Sequence, residues 1–198
     1  MRFSFQTNIR PRAVVVVGCG GTGSALIPSL VRMLRTHCRA YTPGAPYLKP
    51  IPIYLVDDDV VEPKNLQRQH FVPKDVGKPK AKVLADRYST ALDYPWIFAQ
   101  VRKMGALAAE DEFYSHVRYL PEDRSKQDLL FSPETLNGRG APTPGYGGTI
   151  FILCVDSADA RRDILHHIFL WSRFTRSSSE PNSGKCVIID AGNEDAFG

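Results

Sequence analysis

No stretch of this sequence is both long enough and apolar enough to form a membrane-spanning helix, which needs roughly 20 such residues. Residues 1–12, MRFSFQTNIRPR, lack an apolar core of the length a secretory signal requires. A cytoplasmic protein that does not engage a membrane is therefore expected. Cysteine is scarce: Cys19, Cys38, Cys154 and Cys186 contain no C-x-x-C pair, so a structural zinc site has no support. Cys154 and Cys186 sit in apolar runs and are expected to be buried strand residues, whereas Cys38 falls in a polar connection. A strong charge of one sign is also missing. The formal net charge of +4 is mild and dispersed, which suits an acidic ligand but gives no argument for direct nucleic-acid binding. Internal repeats are absent.

What is present suffices for one well-buried domain over residues 1–198: 43% of the residues are hydrophobic and 23% charged. Residues 13–23 read AVVVVGCGGTG, a buried strand running into a glycine turn and then a helix start. Such a turn suits phosphate, because glycines allow close backbone approach and a helix N-terminus offers free N–H groups and partial positive charge. Apolar runs predict further strands at 53–56, 96–101, 150–155 and 187–189. Helical spacing predicts helices over about 22–37, 79–92, 105–120 and 158–173. The segments 38–52 and 115–148 are longer connections rich in proline and glycine, expected to be loop insertions. Strands that are apolar throughout and alternate with helices indicate an α/β fold, Rossmann-like and doubly wound, with a mostly parallel sheet and helices on both faces. Ligands of such sheets bind at the carboxyl ends of the strands. Those ends carry Gly18–Gly23, Asp57–Asp59, Asp156 and Asp190.

Taken alone, Gly18-x-Gly20-x-x-Gly23 satisfies the dinucleotide fingerprint, with Asp57 in the ribose-holding place, and a nicotinamide or flavin oxidoreductase would follow. The next segment leaves that reading with residues it does not explain. Asp57-x-Asp59 is followed by Asn65-Leu66-Gln67-Arg68-Gln69 and by Gly77-x-x-Lys80. With Gly21 as the extra glycine of G-x-G-G-x-G, and with Asp156-Ser157-x-x-x-Arg161 further on, the chain resembles the ThiF/MoeB/ubiquitin-activating enzyme superfamily. Within it, the sequence looks most like the ThiF-type proteins of the bacterial PRTRC systems.

The resemblance implies an ATP-dependent adenylyltransferase. Its substrate would be a carboxylate, foremost the C-terminal glycine of a ubiquitin-like or sulfur-carrier protein. Such a reaction joins two anions, so it needs cations on the phosphates and an acid to hold Mg²⁺. The resemblance assigns Arg68, Lys80 and Asp156 to catalysis, with Asp156 also the metal ligand. It assigns Gly18, Gly20, Gly21, Gly23, Asp57, Asp59, Asn65 and Gln69 to the nucleotide. ATP and Mg²⁺ are the implied cofactors, and a homodimer is implied. Bland readings stand beside these roles. Lys78, Lys80 and Lys82 together could be a solvated basic helix start, and Asp156 a helix N-cap. Asp58 is expected to be solvated and Asp190 to cap its strand. His166 and His167 are expected to be ordinary helix residues, since adjacent helical positions point in different directions.

The sequence departs from the family in four places. Only a short segment precedes the first strand, so a trans-acting arginine would have to be Arg2, Arg10 or Arg12. Ser157 replaces the family's asparagine, and the insertions at 38–52 and 115–148 are long. The chain is expected to lack the C-terminal part of its relatives, where a thioester-forming cysteine can lie. A catalytically silent ATP-binding partner of an activating complex is therefore a further reading.

Overall fold

The computed structural model describes residues 10, 11, 13–39, 50–101, 103, 104, 146, 147, 149–174 and 186–191. The expected helix at 105–120 and most of the insertions at 38–52 and 115–148 lie outside the described residues, as do Arg2 and Arg12. The chain forms strands β1 (Arg10–Pro11) and β2 (Val14–Val17), helix α1 (Gly21–Arg39) and strand β3 (Ile53–Val56). Helix α2 (Lys80–Ala91), strands β4 (Ile97–Gln100), β5 (Tyr146–Gly147) and β6 (Thr149–Leu153), helix α3 (Ala158–Phe174) and strand β7 (Cys186–Asp190) follow. Cys38 thus lies in the last turn of α1 and not in a polar connection.

Five strands make one sheet in the order β4-β3-β2-β6-β7, with every pairing parallel. The four valines of β2 are all buried because this strand is central and covered on both sides. Their alternation divides the core into two. Val14 and Val16 pack with Ile53 and Leu55 under Ile27, Val31 and Leu34 of α1 and Ala81 and Leu84 of α2. Val15 and Val17 pack with Tyr54, Phe151 and Leu153 under Ile164 and Ile168 of α3. Helices therefore cover both faces, as a doubly wound Rossmann-like fold requires.

The edge strand β7 differs from expectation. Val187, Ile188 and Ile189 are 40–56% exposed, and Cys186 is only partly buried. An apolar run reads the same in sequence at the centre and at the edge of a sheet, and only the strand order separates the two. A second small parallel pairing joins β1 to β5, with Arg10 opposite Tyr146. No helix among the described residues is long and apolar enough to cross a membrane.

Because all five strands run the same way, their carboxyl ends share one edge. The strand order reverses between β2 and β6, so the ends of β2, β3 and β6 form the crevice where such sheets take ligands.

Candidate nucleotide site

A cavity of about 750 Å³ opens at that crevice, a size within the roughly 300–1,000 Å³ typical of small-molecule sites. Gly18, Gly20 and Gly21 line it after β2, Asp57–Asp59 after β3, and Cys154 and Asp156 after β6. Asn65, Arg68, Gln69 and Lys80 close it from the segment between β3 and α2. Of the residues expected at the nucleotide, only Gly23 is absent from the lining.

The glycines divide by what a side chain would meet. Gly18 has φ +94, and a Cβ there would lie 2.6 Å from the Cys154 carbonyl oxygen, so both conformation and space demand glycine. A Cβ at Gly23 would lie 1.9 Å from the Gly18 carbonyl oxygen. Gly23 therefore allows α1 to start against the turn, and it does not line the cavity. At Gly20 the nearest atom to a Cβ is Gln69 Nε2 at 3.9 Å, and at Gly21 it is the Arg68 carbonyl oxygen at 3.9 Å. Those two positions face the Arg68–Gln69 segment at ordinary van der Waals distance and without a clash, on the wall of the cavity.

The aspartates after β3 are organised by backbone donors. Cys19 N–H donates to Asp57 Oδ2 at 2.6 Å and Asp59 N–H to Oδ1 at 2.8 Å. Asp57 thus ties the glycine turn to β3, and each of its oxygens retains a lone pair for a ribose hydroxyl. Burial pushes the Asp57 carboxyl above the usual range, opposed by the two N–H groups and by Lys80. Burial also pushes the Cys19 thiol well up, with the Asp57 charge adding to it, and raises Cys154 to about 11. Neither is a poised nucleophile.

Lys80 separates from its neighbours. It is 6% exposed, whereas Lys78 and Lys82 are exposed and Lys82 pairs with Asp86 at 3.2 Å. Lys80 Nζ donates to Asp59 Oδ2 at 2.7 Å while its backbone N–H donates to the Asp59 carbonyl at 2.9 Å. A solvated basic helix start does not describe it. A buried ammonium is held at the cavity wall by one exposed carboxylate.

The irregular segment between β3 and α2 consists of two 3₁₀ turns, Pro63–Gln67 and Pro73–Asp75. Asn65, 3% exposed, organises the first. Its Oδ1 accepts Glu62 N–H at 2.8 Å, and its carbonyl accepts the N–H groups of Gln69 at 3.0 Å and Arg68 at 3.3 Å. Only its amide NH₂ is left for a ligand. The Arg68 side chain is exposed, lines the cavity and has no partner among the described residues. Gln69 Oε1 is shielded from solvent and has no hydrogen-bond partner among the described residues. A buried orphan acceptor beside an unpaired guanidinium fits a ligand carrying both donors and negative charge.

Asp156 is exposed and lines the cavity, as does Asp163 from α3. It does not cap α3: Ser157 Oγ accepts Ala160 N–H there at 3.3 Å. Arg161 lies outside the lining, pairing with Asp190 at 3.0 Å and donating to the Val155 carbonyl at 3.0 Å, so it fastens α3 to the ends of β6 and β7. Asp190 is held there and not at the cavity. Asp58, expected to be merely solvated, joins the lining, and the carboxylates of Asp57, Asp58 and Asp59 come within 4.8 Å of one another. Lys103 and Met104 after β4 and Asp163 on α3 also line the cavity. Sequence reasoning passed over these three. The strand-end rule could have flagged the pair after β4, but nothing in sequence marks Asp163.

Residues 1–117 match the ThiF family. Over 108 residues the chain is 29% identical to the NEDD8-activating enzyme E1 catalytic subunit of Saccharomyces cerevisiae, covering 54% of this chain and 31% of that protein. Its fold resembles that of the E. coli tRNA N6-threonylcarbamoyladenosine dehydratase TcdA in complex with AMP, with TM-score 0.52 and 18% identity, covering 90% of this chain and 49% of that one. The ATP complex of TcdA gives TM-score 0.52 and 16% identity, covering 90% of this chain and 50% of that one. The chain spans about half the length of these solved chains and about a third of the yeast protein. The family match takes in the glycine turn, the aspartates after β3, the Asn65–Gln69 segment and Lys80, all of which meet at one cavity, and the chain belongs to the ThiF family.

Proposed function

We propose that this protein adenylates a carboxylate with ATP, foremost the C-terminal glycine of a small ubiquitin-like or sulfur-carrier protein. The observation that carries this reading is the cavity itself. An arginine and an aspartate with no partner among the described residues, together with a buried lysine, converge there on a glycine turn that lines the cavity at Gly20 and Gly21. A carboxylate oxygen attacks the α-phosphorus of ATP. A new O–P bond forms, the bond from the α-phosphorus to its β-bridging oxygen breaks, and pyrophosphate leaves with the electron pair.

The residues supply position and charge. The Arg68 fork grips phosphate oxygens, and Lys80 adds a compact positive charge from the wall. Asp57 takes the ribose hydroxyls, and Gln69 Oε1 finds a donor on the nucleotide side. Asp156 would hold Mg²⁺, whose charge offsets that of the phosphates. Asp156 is favoured over the trio at Asp57–Asp59 because Asp57 and Asp59 already accept hydrogen bonds within the protein. Relatives support the chemistry: the similar yeast protein is an activating enzyme, and the solved fold relative takes AMP and ATP. The motif pattern further leads us to place the chain with the PRTRC type and to expect a homodimer.

Exchange of labelled pyrophosphate into ATP, measured with Mg²⁺ and a small ubiquitin-like protein ending in glycine, tests the reading. Exchange that needs the partner and is lost in Arg68→Ala supports it. ATP binding without exchange for any such partner would make the protein a silent nucleotide binder. Tight NAD(H) binding without ATP binding would overturn the proposal.

A further inference from the structure

We propose that Ser24 and Arg87 are positioning residues for Arg68 and Gln69, and that they act by holding the backbone of one residue, His70, at its N–H and at its C=O. The catalytic consequence rests on the adenylation reading, but the clamp itself does not.

Ser24 is 0% exposed in the first turn of α1. Its hydroxyl donates to the Gly21 carbonyl at 3.2 Å and accepts His70 N–H at 3.2 Å, across 46 residues of sequence. The His70 carbonyl accepts a hydrogen bond from Arg87 Nη1 on α2. Arg87 Nη2 pairs in turn with Asp75, a buried carboxylate that also accepts Val72 N–H at 2.8 Å. The two peptide groups that flank the His70 Cα are therefore fastened, the first through its N–H to the helix that follows the glycine turn and the second through its C=O to the helix that carries Lys80.

The backbone on either side of Arg68 and Gln69 is fixed separately. Asn65 accepts the Arg68 and Gln69 N–H groups, and Phe71 is buried in the core with its N–H on the Gln69 carbonyl at 2.8 Å. Arg68 and Gln69 lie between these anchors. Their backbone is set against Gly20 and Gly21 while the guanidinium stays free to meet a ligand. A long side chain loses aim when its backbone drifts, and misplacement by about 1 Å can cost on the order of 10²-fold in rate. Ser24 bridges turn and segment, and a fork is needed at Arg87 because two acceptors must be served at once.

The test uses the full chain, with hydrogen–deuterium exchange over residues 66–72 and ATP·Mg²⁺ titration as separate readouts. Ser24→Ala and Arg87→Met are expected to speed exchange in 66–72 by up to about tenfold, the loss of a part-buried hydrogen bond at Ser24 and of an exposed one at Arg87, and to leave β2, β3 and β6 protected. Arg87→Lys should behave like Arg87→Met, since an ammonium cannot serve both Asp75 and His70. It also stands in should Ser24→Ala fail to fold. ATP affinity should fall in the single variants, and the double variant Ser24→Ala/Arg68→Ala should bind no more weakly than Arg68→Ala alone, because Ser24 acts through Arg68. Unchanged exchange in 66–72, or exchange raised equally throughout the chain, would overturn the clamp. Additive losses in the double variant would overturn its link to Arg68. If the wild-type chain does not bind ATP, the adenylation reading fails while the exchange measurement still decides the clamp.

Discussion

Gly23 should answer to alanine in the opposite way from Gly20 and Gly21. In Gly23→Ala the new Cβ would lie 1.9 Å from the Gly18 carbonyl oxygen and 2.9 Å from its carbon, where ordinary contact begins at 3.4 Å. Both sides of the clash are backbone, so no flexible side chain can swing away. Either α1 shifts along its axis or the turn opens. Overpacking of this kind costs about 3 kcal/mol, the upper end of the usual range. At roughly 2–4 °C per kcal/mol for a domain of this size, the melting temperature should fall by about 6–12 °C. The sign is diagnostic, because helix propensity alone favours alanine over glycine by up to about 1 kcal/mol in a helix interior. Gly20→Ala and Gly21→Ala meet nothing nearer than 3.9 Å. They should melt within about 2 °C of wild type while weakening ATP, since their methyl groups enter the space between the turn and the Arg68–Gln69 segment. Thermal unfolding followed by circular dichroism, with ATP·Mg²⁺ titration on the same samples, measures both. A Gly23→Ala protein melting at or above wild type would refute the reasoning. So would Gly20→Ala melting as low as Gly23→Ala.

Lys80→Met should lower pyrophosphate exchange by on the order of tenfold or more, the loss of a charge-assisted contact, whereas Lys78→Met and Lys82→Met should leave it within twofold, about the experimental noise of such a comparison. Equal losses at all three would return Lys80 to the status of a surface charge. Asp75 loses part of its low pKa to burial, but the Val72 N–H and the Arg87 guanidinium outweigh this and hold the carboxyl below its usual value. Its stabilising contribution is therefore complete above the unfolded-state pKa and is lost as pH falls through the folded-state value. Urea unfolding from pH 7 down to pH 3 should show the gap between wild type and Asp75→Asn closing on the acid side, and a gap that widens there would contradict the sign. With burial raising both thiols, Cys19 and Cys154 should stay unlabelled by iodoacetamide at pH 8 in the native chain and react fully in denaturant, as mapped by mass spectrometry. Rapid native labelling of either would contradict their burial.

The strands were legible wherever the apolar run met a buried position. The strand read at the start of 13–23 and the one at 53–56 became Val14–Val17 and Ile53–Val56, because central parallel strands are covered on both faces and are mostly apolar. The same logic overreached at β7, whose apolar residues are exposed because the strand lies at the sheet edge. The region between β3 and α2 was legible as a motif and illegible as structure. Asn65-Leu66-Gln67-Arg68-Gln69 could be recognised by order of residues alone. That Asn65 spends its carbonyl groups holding the segment, while Arg68 is left free, is a matter of hydrogen bonds that the letters do not show.

By itself the sequence determined the α/β class, the glycine turn, the family and the set of residues that could serve a nucleotide. All of these follow from local pattern: period, spacing and residue type. Only the tertiary structure decided how those residues divide their work. It made Gly23 a packing residue and left Gly20 and Gly21 facing the ligand space, chose Lys80 over Lys78 and Lys82, and turned Arg161 and Asp190 into a fastening away from the cavity. It also joined Ser24 and Arg87 to the backbone of a single residue, His70, 46 and 17 residues away. The physical reason is the same in each case. A side chain's role is set by the partner it meets, and those partners come from strands and helices brought together by the parallel order of the sheet.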